Sequence, residues 1–227
     1  MSHDQPRVSI IIPALNEAPV IESLLGQLQT LRQYGCEVLL ADGGSCDTTV
    51  DLARPLVDKV LESSAGRSLQ MNAGASQSQA EWLWFLHADA SLLHNPSVYL
   101  ECILSASRWG FFPVRLSGHQ ILLRVIEKAM RWRSSLTGVA TGDQGLFVRR
   151  DVFERAGGYE NVPLMEDVAL TKVLRRVAAP TVASSVLGAS SRRWEQRGLI
   201  STIVLMWRLR FDYWRGVSPQ QLAVRYL

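Results

Sequence analysis

Residues 83–90 read LWFLHADA: Leu83, Trp84, Phe85 and Leu86 are four large apolar side chains, and they stop at His87, Ala88 and Asp89. A run this short, apolar at every position and bounded by polar residues, reads as a β-strand covered on both faces. Water holds an imidazole and a carboxylate well, so their place at the end of a buried segment calls for a cleft there. In open sheets with helices on both faces, ligands collect beyond the carboxyl ends of the strands. The polar pair is then what an interior strand delivers to such a cleft.

The segments on either side make this strand part of a series. Apolar or β-branched runs at 8–12, 37–41, 57–61 and 82–86 alternate with helix-like segments at 17–32, 47–53, 68–75 and 96–106. That alternation predicts an α/β fold, with a central mostly parallel sheet flanked by helices. The second half is mixed. Strands are expected at 110–116, 145–148 and 181–187, and helices at 119–133, 166–177 and 199–214. Ile121, Leu122, Val125, Ile126, Ala129 and Met130 make an apolar stripe on the second-half helix at 119–133. The last helix carries Ile200, Ile203, Val204, Trp207, Phe211 and Trp214 in one broad stripe, flanked by Arg208, Arg210 and Arg215. Packing on the body, a homodimer seam and shallow contact with an anionic membrane surface are all open to it.

Composition narrows the class. At 227 residues, with 47% apolar and 20% charged residues, the chain suits one globular unit. A net charge of +3 does not argue for nucleic acid, and none is expected as a partner. Toward the C-terminus, however, Arg192, Arg193, Arg197, Arg208, Arg210, Arg215 and Arg225 face only Glu195 and Asp212. Cys36, Cys46 and Cys102 are odd in number and widely spaced, which fits neither a disulfide framework nor a zinc site. The opening residues lack a basic segment, and their apolar run breaks at Pro13, so no secretory signal is expected. No run approaches the roughly 20 apolar residues that a membrane span needs. The expected location is cytoplasmic, with attachment at the inner face of the membrane left open.

The residues just after each strand carry the chemistry. Pro13-Ala14-Leu15-Asn16-Glu17 follows the first, and Asp42-Gly43-Gly44-Ser45 follows the second. A carboxylate at Asp42 can accept hydrogen bonds from a nucleobase N–H or from ribose hydroxyls, and Ser45 or Asp47 suits a helix cap. After the third strand, Arg67 and Asn72 sit near a helix start, where a phosphate or a base carbonyl can be held. None of this is a GxGxxG fingerprint or a GxxxxGK[ST] phosphate loop.

Taken in order, these motifs resemble glycosyltransferase family 2, the inverting nucleotide-sugar enzymes of GT-A fold (a Rossmann-like sheet). VSIIIPALNEA resembles their first strand and nucleotide-binding turn, and ADGGSCDTT their second. LWFLHADA sits at their metal-binding DXD position, here His87-Ala88-Asp89. Pro163-Leu164-Met165-Glu166-Asp167 resembles the acidic pair that contains their catalytic base. Arg192-Arg193-Trp194 resembles the RW of their QxxRW signature, with Ser190 where that signature has Gln. HAD, GDQG and RRWE(x)RG together resemble a small bacterial subgroup that ends in an apolar helix.

The resemblance implies a sugar moved from a UDP- or GDP-type donor to a hydroxyl acceptor, lipid-linked or free, with inversion and with Mg²⁺ or Mn²⁺ as cofactor. Pro13, Ala14, Asn16, Glu17, Asp42, Gly43, Arg67, Asn72, His87, Ala88, Arg193 and Trp194 would bind the nucleotide sugar. Asp89 would hold the metal, and Asp143 and Gln144 would meet the acceptor. Asp167, with Glu166 as the second choice, would take the acceptor's proton, because neighbours at a helix start cannot point the same way. One domain over 1–227 is expected, with a nucleotide-sugar half at 7–106, an acceptor and catalytic half at 107–195, and a helical extension at 196–227. A nucleotidyltransferase that makes a nucleotide sugar and a non-catalytic nucleotide-sugar-binding protein remain as alternatives.

Overall fold

The computed structural model describes residues 6–118, 120–191 and 198–226. Arg192, Arg193 and Trp194 therefore lie outside the described residues, as does His119 at the expected start of a helix. The first half alternates as its sequence pattern predicts: β1 (Val8–Ala14), α1 (Ala18–Gln33), β2 (Glu37–Asp42), α2 (Thr49–Ala53), β3 (Lys59–Glu62), α3 (Arg67–Gln77), β4 (Trp82–Phe85), β5 (Ser91–Leu92) and α4 (Pro96–Leu104). The second half continues with β6 (Trp109–Phe111), β7 (Val114–Leu116), α5 (Ile121–Thr137), β8 (Phe147–Arg149), α6 (Arg150–Arg155), α7 (Glu166–Val177), β9 (Thr181–Val182), β10 (Leu187–Ala189), α8 (Leu199–Trp214) and α9 (Pro219–Tyr226).

Seven strands form one sheet in the order β3-β2-β1-β4-β8-β6-β9, and β5-β10-β7 form a smaller one. The pairs β2–β3, β1–β2, β1–β4 and β6–β9 are parallel, whereas β8 runs antiparallel to both β4 and β6. The order reverses beside β1, between β2 and β4, so the crevice at the ends of β1 and β4 is the switch point of this sheet.

The all-apolar composition of β4 follows from two cores. Trp84 and Leu86 join Ile10, Ile12 and the α1 residues Ile21, Leu24, Leu25 and Leu28 on one face. Leu83 and Phe85 join Ile11 on the other, with Met71 of α3, Phe153 of α6 and Leu174 of α7. The isoleucines of β1 and every residue of β4 thus meet apolar neighbours whichever way they point, while Ser9 bonds Glu37 and Ser78. Gly74 lets α3 lie directly on β1, since a Cβ there would fall 2.3 Å from Ile11 Cγ2.

Two expected strands are each broken in two. Residues 110–116 divide into β6 in the large sheet and β7 in the small one, with Phe112 and Pro113 between them. Pro113 has no N–H to give to a ladder, so an uninterrupted strand through it is disfavoured. Residues 181–187 divide in the same way into β9 and the start of β10, and Leu187 N donates to Pro113 O at 2.9 Å. The two segments leave the large sheet side by side and pair again in the small one.

The expected stripe on α5 is also corrected. Leu123 and Ile126 face the interior, with Met130 partly buried beside them, whereas Ile121, Leu122, Val125 and Ala129 are exposed. In α8, Leu209 and Thr202 face inward, and Val204, Trp207, Phe211 and Trp214 are exposed. The side chain of Ile200 lies outside the described set. The chain does not close on α8, because α9 follows and buries Leu222 beside Leu209. Among the described residues, no helix is long and apolar enough to cross a membrane.

Candidate active site

The ends of β1 and β2 stand level, with Ala14 opposite Asp42 in the parallel register. Two donors converge on Ala14 O: Gly43 N at 2.9 Å and Gln70 Nε2 at 2.7 Å. Gln70 Nε2 also reaches Ala41 O at 2.8 Å, so this buried α3 side chain fastens the two strand ends together. A Cβ on Gly43 would press on the Gln70 amide at 3.1 Å.

Beyond the strands the two turns are joined as well. Asn16, with φ of 56°, takes Cys46 N on its Oδ1 at 2.9 Å and gives its own N–H to Ser45 Oγ at 2.9 Å. Glu17 N donates to Thr49 Oγ1 at 2.8 Å. Asp47 accepts from Thr49 N at 3.0 Å and from Ala18 N at 3.2 Å. The Thr49 hydroxyl leads the contacts that hold the Asp47 carboxyl below its ordinary range.

Asp42 is 6% exposed. Its Oδ2 accepts from Gly44 N at 2.9 Å and Ser45 N at 3.0 Å, while Oδ1 is buried with no hydrogen-bond partner among the described residues. A buried carboxylate oxygen without a donor costs free energy unless something supplies one. It lies at the end of β2, next to the end of β1 that borders the switch point.

Arg67 and Asn72 lie on α3 but serve different ends. Arg67, half exposed, has Nη1 3.7 Å from Glu166 Oε1, so the starts of α3 and α7 meet. Asn72 exchanges two hydrogen bonds with the backbone of Tyr159, giving Nδ2 to its O at 2.8 Å and taking its N–H at 2.9 Å. Its amide, expected at the nucleotide sugar, instead ties α3 to the segment ahead of α7.

At the end of β4 a turn closes with Ala90 N donating to His87 O at 3.0 Å. Ala88 is buried in it, and His87 and Asp89 are half-buried. Because β8 runs antiparallel to β4, with Trp84 opposite Phe147, the turn Gly142–Gln144 before β8 lies beside the end of β4. Gly142 is the meeting point. Its N–H donates to Asp167 Oδ2 at 2.6 Å, and a Cβ on it would fall 2.5 Å from His87 Nε2 and 3.7 Å from Asp167 Oδ2. The absent side chain leaves the space that the imidazole ring fills, and this closes His87, the GDQG turn and the acidic pair into one site.

Glu166 and Asp167 open α7. Met165, just before them, has φ of 68°, a left-handed conformation that costs about 1–3 kcal/mol in a non-glycine residue. Its side chain is held in a cluster with Val168, Leu209 and Leu222. Asp167 Oδ1 accepts from Val168 N at 2.7 Å, so each oxygen of this carboxylate takes one backbone N–H. Burial first, and then the neighbouring Glu166 carboxylate, push the Asp167 carboxyl up to about 6. Burial and the same two acids raise the Tyr159 hydroxyl well above its ordinary range.

Within the GDQG turn the two side chains part. Burial raises the Asp143 carboxyl, against the Thr141 hydroxyl, and Asp167 raises it further against Arg133. Gln144, expected at the acceptor, instead lies beneath the turn at 1% exposure. Its Oε1 takes Thr141 N at 3.0 Å and Ser134 Oγ at 2.9 Å, and its Nε2 is buried without a partner among the described residues.

Arg133 of α5 was not legible as a site residue, yet Asp143 and Asp167 both act on its guanidinium and oppose the effect of its burial. Its Nη2 donates to Ser134 Oγ at 2.8 Å, and its Nε is buried without a hydrogen-bond partner among the described residues. Gln70 was also missed, and the only signal for it was an amide at a helical position with apolar neighbours. Arg133 had none, because its own helix gives no reason to face the acids.

Among the described residues no three of His, Cys, Asp and Glu gather into a metal-binding cluster. The chain offers Asp89 at the end of β4, with His87 in the same turn. Mg²⁺ commonly uses one or two carboxylates and takes its other oxygens from phosphates and water, so this donor set fits a cation that arrives with a diphosphate.

Known proteins share both sequence and fold with this chain. Residues 9–102 match the family described as Glycosyl transferase family 2. The PGL/p-HBAD biosynthesis glycosyltransferase of Mycobacterium tuberculosis is 33% identical over 130 residues, which cover 46% of this chain and 51% of that protein. The chain thus spans about half the length of that curated relative. Among solved structures, the mannosyltransferase PcManGT from Pyrobaculum calidifontis, in complex with GDP-Man and Mn²⁺, has a TM-score of 0.69 at 21% identity, covering 92% of this chain and 61% of that one. Glucosyl-3-phosphoglycerate synthase from Mycobacterium tuberculosis, with Mn²⁺ and UDP, gives 0.57 at 17% identity, covering 81% of this chain and 71% of that one. Over residues 9–102 the chain is thus similar to glycosyl transferase family 2, and its overall fold is the GT-A fold.

Proposed function

We propose that the chain moves a sugar from a UDP- or GDP-type donor to a hydroxyl acceptor, with inversion at C1 and with help from a divalent cation. The carrying observation is the junction at Gly142, where His87 from the end of β4 and Asp167 from the start of α7 share the space beside one glycine. It puts a candidate base next to the strand end that carries Asp89. Similarity to proteins solved with GDP-Man or UDP and Mn²⁺ supports the same reading.

In this reading residues 7–106 form the donor half, 107–195 the acceptor half and 196–227 a helical extension of one domain. Asp42 Oδ1 accepts an N–H of the base, a donor it lacks among the described residues. Pro13, Ala14, Asn16, Glu17 and Gly43 bind the nucleotide sugar beside Asp42, and Asn16 also locks the two turns together. Arg67, His87 and Ala88 line the path toward the diphosphate, with Arg193 and Trp194 following from the chain beyond. Asn72 acts as a positioning residue through Tyr159, and Gln144 as one beneath the GDQG turn.

Asp89 would hold Mg²⁺ or Mn²⁺. Bound there, the cation would offset the negative charge that grows on the departing diphosphate. Asp167 accepts the proton of the attacking hydroxyl as its oxygen bonds to C1. The bond from C1 to the phosphate oxygen breaks on the opposite face, and its electron pair leaves with the nucleoside diphosphate. Glu166, held near Arg67, is the second choice for the base. Asp143 orients the acceptor.

Incubation with Mn²⁺ and a panel of UDP-, GDP- and dTDP-sugars tests the reading by release of free nucleoside diphosphate. A transferase releases it slowly by hydrolysis even without acceptor. Pyrophosphate formed from nucleoside triphosphate would identify a nucleotidyltransferase instead, and no turnover with intact binding would identify a non-catalytic binder.

A further inference from the structure

The outward side of α8 carries four apolar side chains that none of the described residues covers. Val204, Trp207, Phe211 and Trp214 recur three or four residues apart, so they share one face, and they are 59%, 74%, 54% and 77% exposed. Thr202 and Leu209 on the opposite side are buried. The neighbouring α5 packs its Leu123 and Ile126 into the cluster that receives Leu199 and Ile203 of α8. It too turns apolar residues outward, Ile121, Val125, Trp132 and Leu136. Of the six described tryptophans, Trp82, Trp84 and Trp109 are buried in the sheet, and the other three are the exposed ones on these two helices.

Charge chooses among the possible occupants. Residues 121–137, 199–215 and 219–226 together hold 8 Lys and Arg against 2 Asp and Glu, although the whole chain is only +3. Both acids are already paired, Glu127 with Arg124 at 2.9 Å and Asp212 with Arg225 at 2.6 Å. Lys128, Arg131, Arg208 and Arg215 are exposed and form no ion pair among the described residues. A second copy seated on this face would set like charges against each other. An anionic lipid surface complements them, and an apolar stripe rich in tryptophan and flanked by arginine is the pattern of a helix lying in the headgroup region.

We propose that α8, with the outward stripe of α5 beside it, docks the protein on an anionic phospholipid surface. The indole rings enter the boundary of the acyl chains, and the exposed cations meet headgroup phosphates. Docking does not depend on the donor chemistry. That it would also present the site to an acceptor carried on lipid does rest on the transfer reading above.

The test is co-sedimentation of the full chain with vesicles of phosphatidylcholine containing about 30% phosphatidylglycerol, and with phosphatidylcholine alone. The expected result is binding at least about tenfold tighter to the anionic vesicles, weakened by high salt. The Trp207→Ser/Trp214→Ser variant should lose about tenfold or more on the same vesicles. Arg208→Gln/Arg215→Gln should lose the anionic preference and most of the salt dependence. All four side chains are exposed, so thermal melting and nucleoside diphosphate release from free donor should match the parent chain. Failure of the parent chain to sediment, or equal sedimentation of parent and variants, overturns the proposal. A parent chain that is dimeric without lipid, with a monomeric tryptophan variant, also overturns it and assigns the stripe to a dimer seam.

Discussion

Protonation of Asp167 links the geometry of the acidic pair to a measurable rate. Its carboxyl is raised from the ordinary 3.8 to about 6, chiefly by burial and then by Glu166. If it accepts the proton of the attacking group, only the ionised form works, and at pH 5 about one site in ten is ionised. The kcat/KM for nucleoside diphosphate release should therefore fall about tenfold between pH 7 and pH 5. The same shift affects stability with a definite sign. A folded value above the unfolded one favours the protonated form, so its stabilisation is complete below about pH 4 and is lost as pH rises through about 6. A shift of roughly two units caps that loss at about 3 kcal/mol. Asp167→Asn removes this pH dependence but sets an amide N–H against Gly142 N or Val168 N, an opposing cost of about 1–3 kcal/mol. The net change in melting temperature at pH 7 should be small, while the slope between pH 4 and pH 6 flattens. Rate measurements and thermal melts of both proteins over pH 4–8 check this. A flat rate profile from pH 5 to 8, or parent-like turnover by Asp167→Asn, refutes the assignment.

Other outcomes follow from the remaining contacts. Asp167→Asn should keep donor affinity within a few fold in calorimetric titration, and loss of donor binding would put Asp167 on the wrong substrate. Asp89→Ala should abolish the Mn²⁺ dependence of donor binding, and an unchanged Mn²⁺ response would move the metal elsewhere. Asp42→Asn turns the vacant buried acceptor into a possible donor and should weaken UDP or GDP binding about tenfold, with less effect on inorganic pyrophosphate. Gly142→Ala drives a methyl group into the His87 ring, so turnover should drop by more than tenfold while melting falls by the equivalent of about 1–3 kcal/mol. Melting unchanged with full activity would show that the contact yields easily.

Local pattern made much of the molecule legible. In LWFL and in Ile10-Ile11-Ile12, apolar residues at successive positions of a short run mean a strand with both faces covered, and both runs split between two cores as that rule requires. The turns after β1, β2 and β4 fell where the carboxyl ends of parallel strands place them. Periodicity on α5 and α8 correctly marked helices with an apolar side but did not tell which part of the α5 stripe is covered. A stripe records that a face is apolar and not what lies against it. Pro113 was visible, but that the chain would cross from one sheet to another there was not.

The sequence by itself determined the order of strands and helices in the first half, the family motifs and the acids at their ends, because those depend on neighbours within a few residues. Only the tertiary structure decided that β8 runs antiparallel to β4, and with it that Gly142 lies against His87 and Asp167. It also decided that Gln144 and Asn72 are tied to backbone, that Arg133 enters the field of the acids, and that three tryptophans face outward. Strand direction and helix docking depend on contacts between segments far apart in the chain, which no local spacing encodes.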